Sequence, residues 1–302
     1  EHMYNHHSPT FSLIYCLASS ACYVLILYII VPSQIRCLPR NHTSHIKWRM
    51  SAVCAYTLLA TLLHPLIFCS NSEGILDGFG SAMKSLGWSW QWKRDTIVIL
   101  HAISLFLGPI LCGLLTRCLA TPSNTHYGSA ERWMNLRDYI IGPISEEMVF
   151  RALFLPTLLL ACQINATNDE NPDQCFPFFS LRTVQFLCPT FFGVAHFHHA
   201  LIKIHEGHTS LVMILLSTLF QFSYTYLFGL WSTFAYMRTG SVVCVSVCHA
   251  FCNYMGVPNL GFMDKHGLLY QYKALILPTY AVGIALFYRG FFNDVIYGSH
   301  ED

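Results

Sequence analysis

Glu146, Glu147 and Arg151 stand together immediately before the apolar run 152–162, in a chain of 302 residues of which 11% are charged. An ionisable residue at membrane depth carries a penalty of about 2.5–3.5 kcal/mol on insertion scales and marks function by default. Glu147 and Arg151 are four apart, so a helix places them on one face where they can pair. The arginine then holds Glu147 ionised, while Glu146 points elsewhere and can act on a substrate or on water. Two more groups suit the same chemistry. Residues 191–199 end in His196, His198 and His199, and His196 and His199, three apart, share a helix face. His249 and Asn253, four apart, set an imidazole beside a carboxamide, both able to donate to one oxygen. A carboxylate base, an imidazole and paired donors are the parts needed to attack an acyl group with activated water.

Plainer readings compete at each position. Glu147 and Arg151 would also serve as an ion-pair network joining helices, His198 as an interfacial polar cap, and His249 as a core histidine bonded to backbone. The pairing with Asn253 weakens the last of these.

The elements that must position these residues are membrane helices. Hydrophobic residues make up 54% of the chain, against 11% charged, where soluble domains carry about 25% charged residues. A net charge of +1 with no basic run excludes a nucleic-acid partner as an expectation. Of thirteen cysteines, Cys16, Cys22, Cys54, Cys112, Cys188, Cys244 and Cys248 lie inside apolar runs, as small buried hydrophobes rather than a disulfide framework. No cleavable signal peptide is evident. Eight stretches approach the roughly 20 residues of a spanning helix: 11–31, 50–69, 96–116, 138 or 143–162, 181–201, 211–237, 241–256 and 274–288. Residues 74–92, with Trp88, Trp90 and Trp92, read as interfacial, and 163–179 as a polar loop on the non-cytoplasmic side, carrying the sequon Asn165-Ala166-Thr167. The expectation is an all-α polytopic membrane protein, one domain over 1–302, with about eight transmembrane helices enclosing a catalytic cavity. Lys and Arg favour the odd-numbered loops, ten against five, which puts those loops in the cytoplasm. Glu146, His196, His249 and Asn253 then fall in one leaflet on three helices.

The chain resembles the type II CAAX prenyl endopeptidases, particularly their eukaryotic Ras-converting branch among the glutamate-type intramembrane proteases. Glu146-Glu147-Met148-Val149-Phe150-Arg151 matches EExxxR, Phe192 to His196 matches FxxxH, and His249 to Asn253 matches HxxxN, in the family's order. The resemblance implies removal of the last three residues from a prenylated CAAX protein, such as a Ras-type small GTPase, at the endoplasmic reticulum membrane with access from the cytoplasm. It implies Glu146, His196, His249 and Asn253 as catalytic residues, with Glu147, Arg151, His199 and Phe192 in support and no cofactor or metal. In that scheme Glu146, helped by His196, takes a proton from water, and His249 and Asn253 donate to the oxyanion. Swapped roles for Glu146 and Glu147 remain open. Two alternatives are a zinc-dependent intramembrane protease using Glu147, His196 and His249, and a proton-coupled transporter or scaffold. HExxH is absent, which weighs against the first.

Overall fold

The computed structural model describes residues 8–68, 86–119, 128–167, 180–207 and 210–293. Every regular element among them is helical. In chain order these are α1 (Pro9–Ile29), α2 (Ser33–Arg36), α3 (Thr43–Phe68), α4 (Trp92–Ser104), α5 (Leu107–Leu119), α6 (Ser129–Leu136), α7 (Gly142–Glu147), α8 (Phe154–Thr167), α9 (Leu181–Ala195), α10 (His198–Glu206), α11 (Leu211–Thr239), α12 (Val242–Met255) and α13 (Lys273–Gly290). Two π-helical segments, Arg137–Ile141 and Met148–Leu153, flank α7.

The helices are apolar on the wrong side for water. α1 buries Ser12, Ser19 and Ser20 and exposes Ile14, Leu17, Leu25 and Ile29. α11 buries Thr225, Gly229, Ser232 and Thr233 and exposes Leu211, Leu215, Leu219 and Leu227. A helix on a soluble core shows the reverse pattern. Small and hydroxylated residues at helix contacts, with large aliphatic ones outside, are what lipid solvation selects. Several of the inward hydroxyls satisfy themselves four residues back, as Ser20 does on the Cys16 carbonyl at 2.8 Å and Thr225 on the Gln221 carbonyl at 2.7 Å. The chain is an all-α polytopic membrane protein.

Among the described residues three helices are long and apolar enough to cross a bilayer: α1, α3 and α11. The third expected span, 96–116, is two helices instead, α4 and α5, bent by 71°. Pro109 supplies the reason: it lacks the N–H that would bond the Leu105 carbonyl, and it fits only the first turn of a new helix beginning at Leu107. The expected span 181–201 also breaks. His196 and Phe197 close on Gly193 and Val194 through three-residue bonds of 3.1 and 2.9 Å, so α9 ends before the histidines and α10 starts after them. The loop expected from 163 begins later, because α8 continues to Thr167; residues 168–179 and 74–85 lie outside the described residues.

The contacts of the chain divide into two compact units, Glu1–Ser89 with Ile144–Val242 and Trp90–Pro143 with Val243–Asp302. In the first, α1 and α3 are tied by Tyr56, whose hydroxyl donates to the Ser19 carbonyl at 2.8 Å and meets the Ser19 hydroxyl at 2.6 Å. α9 and α11 approach closely at two glycines: a Cβ on Gly193 would stand 2.7 Å from the Phe222 ring, and one on Gly229 would stand 3.0 Å from Pro189 Cβ. In the second unit, α13 packs on α4 and α5 through Gly108 against Tyr280 and Gly290 against His101. The His101 Nε2–H donates to the Phe287 carbonyl at 2.7 Å.

Candidate active site

The first unit holds six of the eight expected site residues. Glu147 and Arg151 are both fully buried, at 0% exposure, and the guanidinium Nη1 donates to the Glu147 Oε1 at 3.2 Å. The other carboxylate oxygen, Oε2, accepts from the Ser232 hydroxyl on α11 at 2.7 Å. Arg151 lies over the Phe192 ring, 4.5 Å from its centroid, with the Phe228 ring 5.8 Å away. A cation against aromatic faces in a desolvated site gains about 2 kcal/mol. Gly229 makes room for it, since a Cβ there would sit 3.2 Å from Arg151 Nη2. Glu147 is thereby clamped on both oxygens. Glu146, the residue before it, is only half-buried.

α7 presents Glu146 between the two π-helical segments, an irregular backbone of the kind concentrated at functional sites. Its neighbour Ser145 is pinned from α1: the Ser145 and Tyr23 hydroxyls are 2.9 Å apart, both buried. The Tyr23 ring meets Phe150 edge-on at 5.5 Å and Tyr56 at 5.9 Å, and its phenol is within electrostatic reach of Glu146.

His196 occupies the break between α9 and α10. Its Nδ1–H donates to the Phe192 carbonyl at 2.8 Å, which leaves Nε2 as the lone-pair nitrogen of the neutral ring. Phe192 therefore serves two neighbours: its carbonyl fixes the His196 tautomer, and its ring packs both against His196 at 4.8 Å and under Arg151. His199 lies 6.1 Å from His196, centroid to centroid, and accepts at Nδ1 from Arg40 Nη1 at 3.0 Å. Arginine has no acceptor, so this bond makes His199 neutral with its proton on Nε2. His198 Nδ1–H donates to the Ala195 carbonyl at 2.6 Å.

His249 and Asn253 belong to α12 in the second unit. His249 is buried, at 5% exposure. Asn253 is exposed, and its Nδ2–H donates to the Asp138 carbonyl at 2.9 Å, inside the first π-helical segment. One amide hydrogen expected for a reacting oxygen is thus engaged with backbone in this structure. Among the described residues no three His, Cys, Asp or Glu side chains cluster to hold a metal. Glu147, the carboxylate named for a zinc site, has both oxygens engaged by Arg151 and Ser232.

Sequence reasoning missed Ser232, Phe228, Gly229, Tyr23, Ser145 and Arg40. A signal existed for the α11 residues. Thr225, Gly229, Ser232 and Tyr236 recur every three or four positions in an otherwise large apolar helix, marking a face turned toward protein. For Arg40, 159 residues from His199, there was none.

Residues 128–255 match the family described as Type II CAAX prenyl endopeptidase Rce1-like. The chain is 33% identical over 288 residues to "CAAX prenyl protease 2" of Homo sapiens, covering 91% of this chain and 78% of that one. It is 30% identical over 276 residues to the protein of the same name from Saccharomyces cerevisiae, covering 84% and 82%. The Arabidopsis thaliana protein of that name is 27% identical over 281 residues. No solved structure matches. All three motifs lie inside the matched segment, and the relatives align along most of their length. The chain belongs to the type II CAAX prenyl endopeptidase family.

Proposed function

We propose that this protein is an intramembrane endopeptidase that releases the C-terminal tripeptide from prenylated CAAX proteins, with water activated by Glu146 and His196 as nucleophile. Family membership makes it a peptide hydrolase of the membrane, and the name its relatives carry supplies the CAAX substrate class. Ras-type small GTPases as substrates, about eight spans, and an endoplasmic reticulum location with cytoplasmic access belong to the same proposal.

The observation that carries the mechanism is the unequal treatment of two adjacent carboxylates. Glu147 is fully buried and held by Arg151 and Ser232, while Glu146 keeps partial exposure. A group locked on both oxygens positions; its half-exposed neighbour is the one that water can reach. His196, with its Nε2 lone pair, orients that water and shares its proton. The hydroxide adds to the carbonyl carbon of the prenylated cysteine. For the oxyanion the family resemblance names His249 and Asn253 as donors, and one good donor contributes about 3–4 kcal/mol. Collapse breaks the C–N bond, and the proton held by Glu146 passes to the leaving amine. The products are a prenylcysteine carboxylate and a free tripeptide. Asn253 must exchange its bond to Asp138 for one to substrate.

The test is tripeptide release from a farnesylated CAAX peptide by the purified full chain in lipid. Release of the intact tripeptide is expected, and faster than from the same peptide without the prenyl group. No release removes the proposal. Equal rates on both peptides remove its lipid-substrate part.

A further inference from the structure

An enzyme that removes three residues from a chain end must measure the distance to that end. The first unit carries a candidate ruler beside His196. Arg40 Nη1 donates to His199 Nδ1 at 3.0 Å, and His199 stands 6.1 Å from His196, ring to ring. Laid end to end, these steps put the Arg40 guanidinium within about 10 Å of the His196 ring. An extended peptide advances at most about 3.3–3.6 Å per residue, so the free carboxylate of a three-residue leaving group ends about 10 Å from the scissile bond. The lengths agree.

The charges agree too. From position 2 to position 72 the sequence has no Asp or Glu, yet it carries Arg36, Arg40, Lys47 and Arg49. Arg40 is exposed, and Arg49 lies over the Tyr28 ring at 5.6 Å. Tyr28 in turn meets His198 edge-on at 5.8 Å, so these cations gather at the histidine end of α9. Because Arg40 donates to Nδ1, His199 bears its proton on Nε2 and is a second donor beside the guanidinium. A guanidinium with a neighbouring N–H donor fits a carboxylate.

We propose that Arg40 and His199 form the subsite that binds the substrate's free C-terminal α-carboxylate, fixing the cut three residues from the end. This rests on the tripeptide-releasing activity proposed above. The peptide backbone would run from the water at Glu146 and His196 past His199 to Arg40. The subsite explains why a histidine outside the hydrolytic step belongs to the same cluster.

The test compares a farnesylated CAAX peptide ending in a free acid with the same peptide ending in a primary amide. Rates are read as kcat/KM for each substrate on one preparation, so the ratio does not depend on how much enzyme is folded. Wild type is expected to prefer the acid about 10- to 100-fold, the worth of one charge-assisted contact. Arg40→Ala is expected to bring that ratio to within about twofold of unity, mainly by raising KM for the acid. A wild-type ratio near unity overturns the subsite while leaving the endopeptidase standing. So does a preference that survives both Arg40→Ala and His199→Ala. If Arg40→Ala slows acid and amide alike, the site holds some other anion, such as a lipid headgroup, and the inference fails. Release from neither substrate removes subsite and endopeptidase together.

Discussion

Arg151→Met separates the organising role of the buried pair from any catalytic one. The guanidinium it removes is fully buried, donates to Glu147 Oε1 at 3.2 Å and lies on Phe192 at 4.5 Å. The substitution leaves the Glu147 carboxylate at 0% exposure with the Ser232 hydroxyl still donating to Oε2 and its opposite charge gone. Breaking a buried pair from one side costs about 3–5 kcal/mol, because the orphaned charge keeps its desolvation penalty. With an unfolding entropy of about 2.1 cal/mol/K per residue, a chain of 302 residues should lose about 5–8 °C in midpoint. Adding Glu147→Gln removes the orphaned charge, and the Gln carbonyl still accepts from Ser232. The double variant should therefore recover more than half of the loss. The assay is thermal unfolding in one detergent, with tripeptide release measured on the folded fraction of each variant. If Glu147 only organises, the double variant recovers activity along with stability. A double variant that is stable and yet wholly inactive would refute the argument, since it would place Glu147 among the reacting groups. A double variant less stable than Arg151→Met would refute the burial reasoning itself.

Gly229→Ala should destabilise by about 1–3 kcal/mol, because its Cβ would press on Pro189 at 3.0 Å and Arg151 Nη2 at 3.2 Å; an unchanged unfolding midpoint would show that α9 and α11 can separate freely. Tyr23→Phe and Ser145→Ala should each lose about 1 kcal/mol of stability, and the double variant little more than either alone, since both delete one 2.9 Å hydrogen bond; additive losses would deny that the bond exists. Asn253→Ala should barely change stability, because its bond to Asp138 is exposed, yet lower kcat by about 10²–10³-fold if the carboxamide meets the oxyanion; an unchanged kcat confines Asn253 to bracing the π-helical segment.

The parts of this site legible in the sequence were those written in local spacing. Glu147 and Arg151 were paired from a four-residue interval, and the pair forms even though Arg151 lies in a π-helical segment that starts at Met148. Phe192 and His196 come together in the sequence only through the FxxxH resemblance, and the structure joins them by a carbonyl-to-imidazole bond. The membrane character was legible because lipid solvation acts on composition. What could not be read was whatever depends on helix packing: Ser232 reaches Glu147 across 85 residues, and Arg40 reaches His199 across 159. The 71° bend between α4 and α5 escaped because an apolar run scores the same straight or broken, although Pro109 marked the place.

The central claim is that Glu146 takes the proton from the attacking water, and Glu146→Gln tests it most directly. The substitution is nearly isosteric at a half-buried position and outside the Glu147–Arg151–Ser232 clamp. The account predicts an unfolding midpoint within about 2 °C of wild type and a fall of at least 10²-fold in tripeptide release from a farnesylated CAAX peptide. A folded Glu146→Gln protein that releases the tripeptide at close to the wild-type rate would contradict it.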